Sequence, residues 1–143
     1  MEFSRRDTLA LGLGAAVVSA LPIQVFAGSH GGKADEAIAA FTGGADVADG
    51  GVDLTAPEIA ENGNTVPVSV SAPGASAILL LATGNPTPGV ATFNFGSLAA
   101  SQEASTRIRL AGTQDVVAVA KMADGSFAKA SSTVKVTIGG CGG

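Results

Sequence analysis

At 143 residues the chain is long enough for one domain plus a targeting segment, and a formal net charge of −4 with a pI near 4.7 argues against binding to a phosphate backbone. Apolar residues make up 46%, ample for a core, but aromatics only 4%, with neither Trp nor Tyr, so small apolar side chains must fill it. No basic amphipathic stretch suits a membrane surface.

Residues 1–27 read MEFSRRDTLALGLGAAVVSALPIQVFA. Arg5 and Arg6 form a charged start, Leu9 to Ala20 an apolar run, and Val25-Phe26-Ala27 places small residues where a signal peptidase reads. The run is short for a membrane span and is broken by Gly12, Gly14 and Pro22. Ser4-Arg5-Arg6 followed by Leu9 has the form of a twin-arginine export signal, which predicts a protein exported already folded to the periplasm, with no membrane association once mature. A single cysteine forms no internal disulfide, so export in complex with a partner is the expected reason for folding first.

After the signal, a segment of helix and linker spans 28–51. Lys33 to Thr42 has helical spacing, with Ala34, Ile38 and Phe41 on one face and Gly43-Gly44 as the stop. GGADVADGG, 43–51, has the composition of a flexible acidic linker. His30 is expected to be a solvated histidine near the start of the mature chain.

From Val52 to Ile138 the period becomes two. Val52 and Leu54 alternate with Asp53 and Thr55, and an Asn62-Gly63 turn precedes Val66, Val68 and Val70. Pro67, on the opposite phase, predicts an edge strand, and this strand, which carries Val66, Val68 and Val70, is the first choice for a partner-facing surface. The unbroken apolar run Ala77–Thr83 predicts a strand covered on both faces, closed by the Asn85–Gly89 turn. Ala91, Phe93 and Phe95 alternate next, then Thr106, Ile108 and Leu110 against Arg107 and Arg109. Val116 to Met122 leads to an Asp124-Gly125 hairpin and a return strand from Phe127, and Val134, Val136 and Ile138 alternate at the end. Arg107, Arg109, Lys121 and Lys129 fall on faces expected to be solvated. The pattern predicts an all-β, immunoglobulin-like antiparallel sandwich of about seven or eight strands, preceded by a short helix.

Residues 138–143 read IGGCGG and contain the only cysteine. Glycines 139, 140, 142 and 143 offer no side chains to shelter Cys141 and resist ordering, which predicts a flexible arm over 139–143 with an exposed thiol. A catalytic thiol needs a base, a helix N-terminus or a metal beside it, and a lone cysteine is a poor metal site. Neither a catalytic residue, nor a metal site, nor a cofactor is therefore expected. A glycine-flanked thiol can travel instead: from Ile138 to Cys141 the chain spans about 10 Å. These features describe a swinging arm that carries a group on sulfur.

The export signal, Pro57-Glu58-Ile59-Ala60-Glu61-Asn62-Gly63 followed by Val66-Pro67-Val68, and Gly139-Gly140-Cys141-Gly142-Gly143 together resemble the SoxY family, the substrate carriers of bacterial Sox sulfur oxidation. The resemblance implies a heterodimer with SoxZ, which lacks a signal and is exported with its partner. It implies that Cys141 is the covalent attachment point for thiosulfate and other reduced sulfur, presented in turn to SoxAX, SoxB and SoxCD, so that the carrier is no enzyme. Two rivals remain at this stage. One is a structural or adhesive sandwich dimerised by a Cys141 disulfide. The other is a sulfur carrier using the Gly142-Gly143 terminus as a thiocarboxylate, which needs ATP that an exported protein lacks.

Overall fold

A computed structural model describes residues 32–140. The export signal with Arg5 and Arg6, His30, Cys141, Gly142 and Gly143 lie outside the described residues. The elements are helix α1 (Lys33–Thr42) and strands β1 (Val47–Asp49), β2 (Asp53–Thr55), β3 (Ile59–Ala60), β4 (Val66–Ser71), β5 (Ala75–Ala82), β6 (Gly89–Asn94), β7 (Glu103–Ile108), β8 (Gln114–Met122) and β9 (Phe127–Val136).

Two sheets pack face to face as an immunoglobulin-like sandwich. The larger runs β1-β9-β8-β5-β6, with β3 added beside β9, and the smaller runs β2-β4-β7. Between them lie Val66, Val68, Val70, Ile78, Leu80, Ala82, Ile108, Leu110, Val116, Ala118 and Val134, drawn from both sheets and the segment after β7. The alternate residues of β5 and β8, Leu79, Leu81, Val117 and Val119, point the other way, onto Ala37, Ile38 and Phe41 of α1. This is why Ala77–Thr83 lacks the period of two: both faces of β5 are covered. Phe41 meets Phe127 edge to face at 5.9 Å between ring centres, fixing the helix against the start of β9. Gly43, left-handed at φ 67°, ends the helix where the sequence expected.

Three expectations change. The segment 43–51 contains a strand, because β1 pairs in parallel with the start of β9 (Val47↔Phe127 to Asp49↔Lys129). The long-range partner, 80 residues on, leaves no mark in the local composition. There Lys129 and Asp49 form an exposed ion pair at 3.8 Å. Second, β4 is central in its sheet, yet β2 covers only Ser69–Ser71. At Pro67 the strand has one neighbour, β7, so the proline occupies a local edge within a central strand. Val66, Val68 and Val70 face the core, 0–2% exposed, and the outward face of β4 carries Pro67, Ser69 and Ser71. Third, the return strand from Phe127 and the final alternating segment are one ten-residue strand, β9.

The Asp124-Gly125 hairpin forms as expected. Gly125 takes φ 86°, which residues with a Cβ rarely adopt. The Asp124 carboxylate accepts from the Ser126 hydroxyl (2.6 Å) and the Ser126 amide (2.9 Å), and these bonds, the hydroxyl foremost, hold its pKa below the ordinary carboxylate value. Because the folded-state pKa is the lower one, the turn's contribution is complete above the unfolded carboxylate value and is lost as pH falls through the lowered one. Replacing Ser126 with Ala is expected to move the Asp124 midpoint back up towards the ordinary value in a proton-detected titration. An unmoved midpoint would remove the hydroxyl as its cause.

Candidate functional site: the root of the cysteine tail

Beyond β9 the chain does not simply leave the domain. Strand β9 carries β8 along one edge, from Gln114↔Val134 to Lys121↔Phe127, while β1 and β3 share the other. At Thr137 the backbone amide donates to the Ala60 carbonyl (3.0 Å), and the hydroxyl reaches the carbonyls of Ala60 and Glu61 (3.2 Å each). Two further bonds continue the anchoring. The Gly63 amide donates to the Ile138 carbonyl (2.7 Å), and the Gly140 amide donates to the Leu110 carbonyl (2.8 Å). Leu110 in turn donates its own amide to the Gly63 carbonyl (2.8 Å). The tail root, the 61–64 turn and the segment after β7 are thus tied in a ring of three backbone hydrogen bonds.

The ring closes only because two of its members have no side chain. A methyl on Gly63 would be driven into the Leu110 carbonyl oxygen and would sit 2.9 Å from both the Gly140 nitrogen and the Ile138 oxygen. A methyl on Gly140 would meet the Gly63 carbonyl and lie 2.8 Å from the Asn64 nitrogen. The expected arm began at Gly139. In the structure Gly140 is hydrogen-bonded to the domain, so any freedom of the thiol begins beyond it. Ile138, in contrast, stays 67% exposed, an apolar side chain at the foot of the tail.

Leu110 is itself held firmly. Its side chain is fully buried in the sandwich. On either side of it Asn85 clamps the backbone: Nδ2 donates to the Arg109 carbonyl (2.7 Å) and Oδ1 accepts from the Ala111 amide (2.9 Å). Gln114, nearly buried, adds its Nε2 to Asn85 Oδ1 (2.9 Å) and to the Gly112 carbonyl (3.0 Å), while its Oε1 accepts from the Gly84 amide (2.9 Å). Among the described residues no buried side-chain nitrogen or oxygen lacks a partner. Replacing Asn85 with Ala strands the Arg109 carbonyl and the Ala111 amide, and is expected to cost about 1–3 kcal/mol in urea unfolding. Faster hydrogen exchange at Ala111 should accompany the loss, and an unchanged amide there would rule out the clamp.

Sequence reasoning marked Asn62-Gly63 and Asn85–Gly89 as turns and no more. Their role in holding the tail comes from contacts between residues 24 to 75 apart in the chain. Among the described residues no group of three or more His, Cys, Asp or Glu side chains is placed to hold a metal ion. No helix among them is long and apolar enough to cross a membrane.

With this geometry in hand, the chain can be set beside known proteins. The sulfur carrier protein SoxY of Chlorobium limicola f thiosulfatophilum is 39% identical, with a TM-score of 0.66 over 74% of this chain and 97% of that one. The superoxide reductase (neelaredoxin) of Ignicoccus hospitalis is 18% identical, with a TM-score of 0.54 over 61% of this chain and 80% of that one. A hypothetical protein of Pyrococcus horikoshii is 14% identical, with a TM-score of 0.51 over 62% and 96%. The last two likenesses show the shared sandwich alone. No curated protein matches. The family of the sulfur oxidation protein SoxY matches residues 38–141, a stretch that runs from α1 through the sandwich and the anchored tail root to the cysteine itself, and the chain belongs to that family.

Proposed function

We propose that the protein is a periplasmic carrier that holds sulfur intermediates covalently on Cys141 and presents them to Sox enzymes during thiosulfate oxidation. The observation that supports it most is the pairing of a lone, glycine-flanked thiol with a tail root fixed to the rim of the sandwich at Gly140 and Leu110. The family match, which reaches Cys141, and the likeness to a sulfur carrier protein support the same reading.

The chemistry follows from the properties of sulfur. SoxAX joins thiosulfate to the Cys141 sulfur, with two electrons leaving to the cytochrome and the thiol proton to water. SoxB then cleaves the terminal sulfone with water, releasing sulfate and leaving a persulfide on the cysteine. SoxCD oxidises that outer sulfur to a sulfonate, with water supplying the oxygens and the electrons and protons passing on to its acceptor, and a second hydrolysis releases sulfate and returns the thiol. Sulfur suits this work because sulfur–sulfur bonds form and break by thiolate attack with little rearrangement. The carrier supplies position, and its partners supply catalysis. No cofactor is needed beyond the cargo.

Export fits the same reading. Arg5 and Arg6 direct the folded chain through the twin-arginine route, with SoxZ bound and carried along.

Intact-mass spectrometry of the mature protein, incubated with thiosulfate and SoxAX, tests the proposal. The expected product carries one thiosulfate-derived adduct that a thiol reductant removes and that maps to Cys141. An adduct on the terminal carboxylate, or a disulfide-linked dimer with no adduct at all, would overturn it in favour of the thiocarboxylate carrier or the structural dimer.

A further inference from the structure

We infer that Gly63 is a positioning residue for the Cys141 thiol: by admitting Gly140 onto Leu110 it shortens the reach of the tail and so restrains thiol-to-thiol coupling between two carriers. The inference takes Cys141 as the working thiol of the proposed function and concerns what limits its side reactions.

The geometry sets two reaches. With the Gly140 amide bonded to Leu110, Cys141 follows the anchored Gly140 by one covalent step, about 3.8 Å between Cα atoms. With both tail bonds of the ring open, Thr137, bonded to Ala60, is the next anchor and four steps separate it from Cys141, about 14 Å. A disulfide needs its two Cα atoms within about 4.4–6.8 Å. Two latched tails therefore couple only when their Gly140 residues approach within about 14 Å, which brings the two rims together. Two released tails couple across about 34 Å between their Thr137 residues, with far fewer orientations excluded.

What holds the short state is weak enough to be set by one methyl group. The ring is fastened to the tail by two backbone bonds, Gly63 to Ile138 and Gly140 to Leu110. Breaking both shifts the released fraction by about tenfold. The far side of the latch does not yield, because Leu110 is buried and clamped by Asn85 on both flanks. Gly63 is itself buried, so a Cβ there has nowhere to go except against the tail or the Leu110 carbonyl.

The side reaction is the oxidation of two thiols to one disulfide. Two S–H bonds are lost and one S–S bond forms, and the two protons and two electrons pass to an added diazenedicarboxamide oxidant, which becomes the hydrazine. The test follows disulfide-linked dimer formation in the mature full chain with that oxidant. Gly63→Ala is expected to speed it about tenfold and to raise hydrogen exchange at the Gly140 amide. Gly140→Ala, which attacks the same contact from the other side and lies beyond the last strand, is expected to do likewise. Gly96→Ala, between β6 and β7 with open space around it, is expected to leave both unchanged. Alkylation of Cys141 by iodoacetamide should be the same in all of them, since a small reagent does not sense reach.

Dimer formation within twofold of the parent in both Gly63→Ala and Gly140→Ala would overturn the inference. So would an equal rise in iodoacetamide labelling, because that reports general exposure of the thiol. These outcomes are separate from the carrier reading, which stands or falls on the sulfur adduct of Cys141 in the unmutated protein.

Discussion

Replacing Cys141 with Ser is expected to stop thiosulfate-dependent electron transfer by the reconstituted Sox enzymes, with a loss of at least about a hundredfold. Oxygen forms no bond to the sulfane sulfur of thiosulfate that these partners can make and break, so the serine chain accepts no cargo. The loss should be selective. Cys141 follows the end of β9 in the sequence and is flanked by glycines, so the melting temperature should move by no more than a surface substitution moves it. Added SoxZ should still bind. Activity retained within a few-fold would mean that another group carries the sulfur. Activity unchanged, with only a disulfide-linked dimer lost, would indicate the structural role.

Truncating Leu80 to Ala should have the largest effect on stability. Leu80 is fully buried at the middle of β5, which is paired on both edges, to β6 and to β8. Its side chain fills the space between the two sheets beside Ile78 and Ala82. With many small residues in this core, few neighbours are large enough to move into the gap. The expected cost is about 2–5 kcal/mol, transfer and cavity together. On a domain of this size that lowers the melting temperature by about 10–30 °C. Leu98 provides the comparison: it is 98% exposed between β6 and β7, and Leu98→Ala should stay within about 0.5 kcal/mol. Calorimetry on both decides the matter, and a loss below about 1 kcal/mol at Leu80 would mean that the sheets close over the gap.

How far the sequence discloses this molecule depends on the range of each interaction. Helix α1 was legible because Ala34, Ile38 and Phe41 recur with the helical period and Gly43 ends the run locally. Strand β5 was legible because burial on both faces removes every polar residue from Ala77 to Ala82. The Asp124-Gly125 hairpin is written in two adjacent residues. In contrast, β1 and β3 are two or three residues long and exist through parallel pairing with β9, far along the chain. A composition of glycine and aspartate at 43–51 reads as linker until that partner is in place. Pro67 misled through a rule that holds for whole strands, whereas here the edge is local, set by how short β2 is.

The tail shows the same division. The thiol of Cys141 stands out in the sequence because it is alone and glycines surround it. The anchoring of Gly140 was not, since glycine has no side chain to signal a contact and its role is to leave room. Gly63 passed as a turn residue for the same reason. Asn85 and Gln114, which hold the opposite side of the ring, were hidden by a turn signal and by the end of an apolar strand.

A mechanical direction is built into β9. A pull on the chain at Gly140 enters the sandwich through the end of this strand. The ladders to β8, β1 and β3 then resist sliding together, all at once, rather than parting one rung after another. The Gly140–Leu110 bond stands ahead of them in series and gives way first. Under tension the carrier therefore pays out a few ångströms of tether and keeps its sandwich whole.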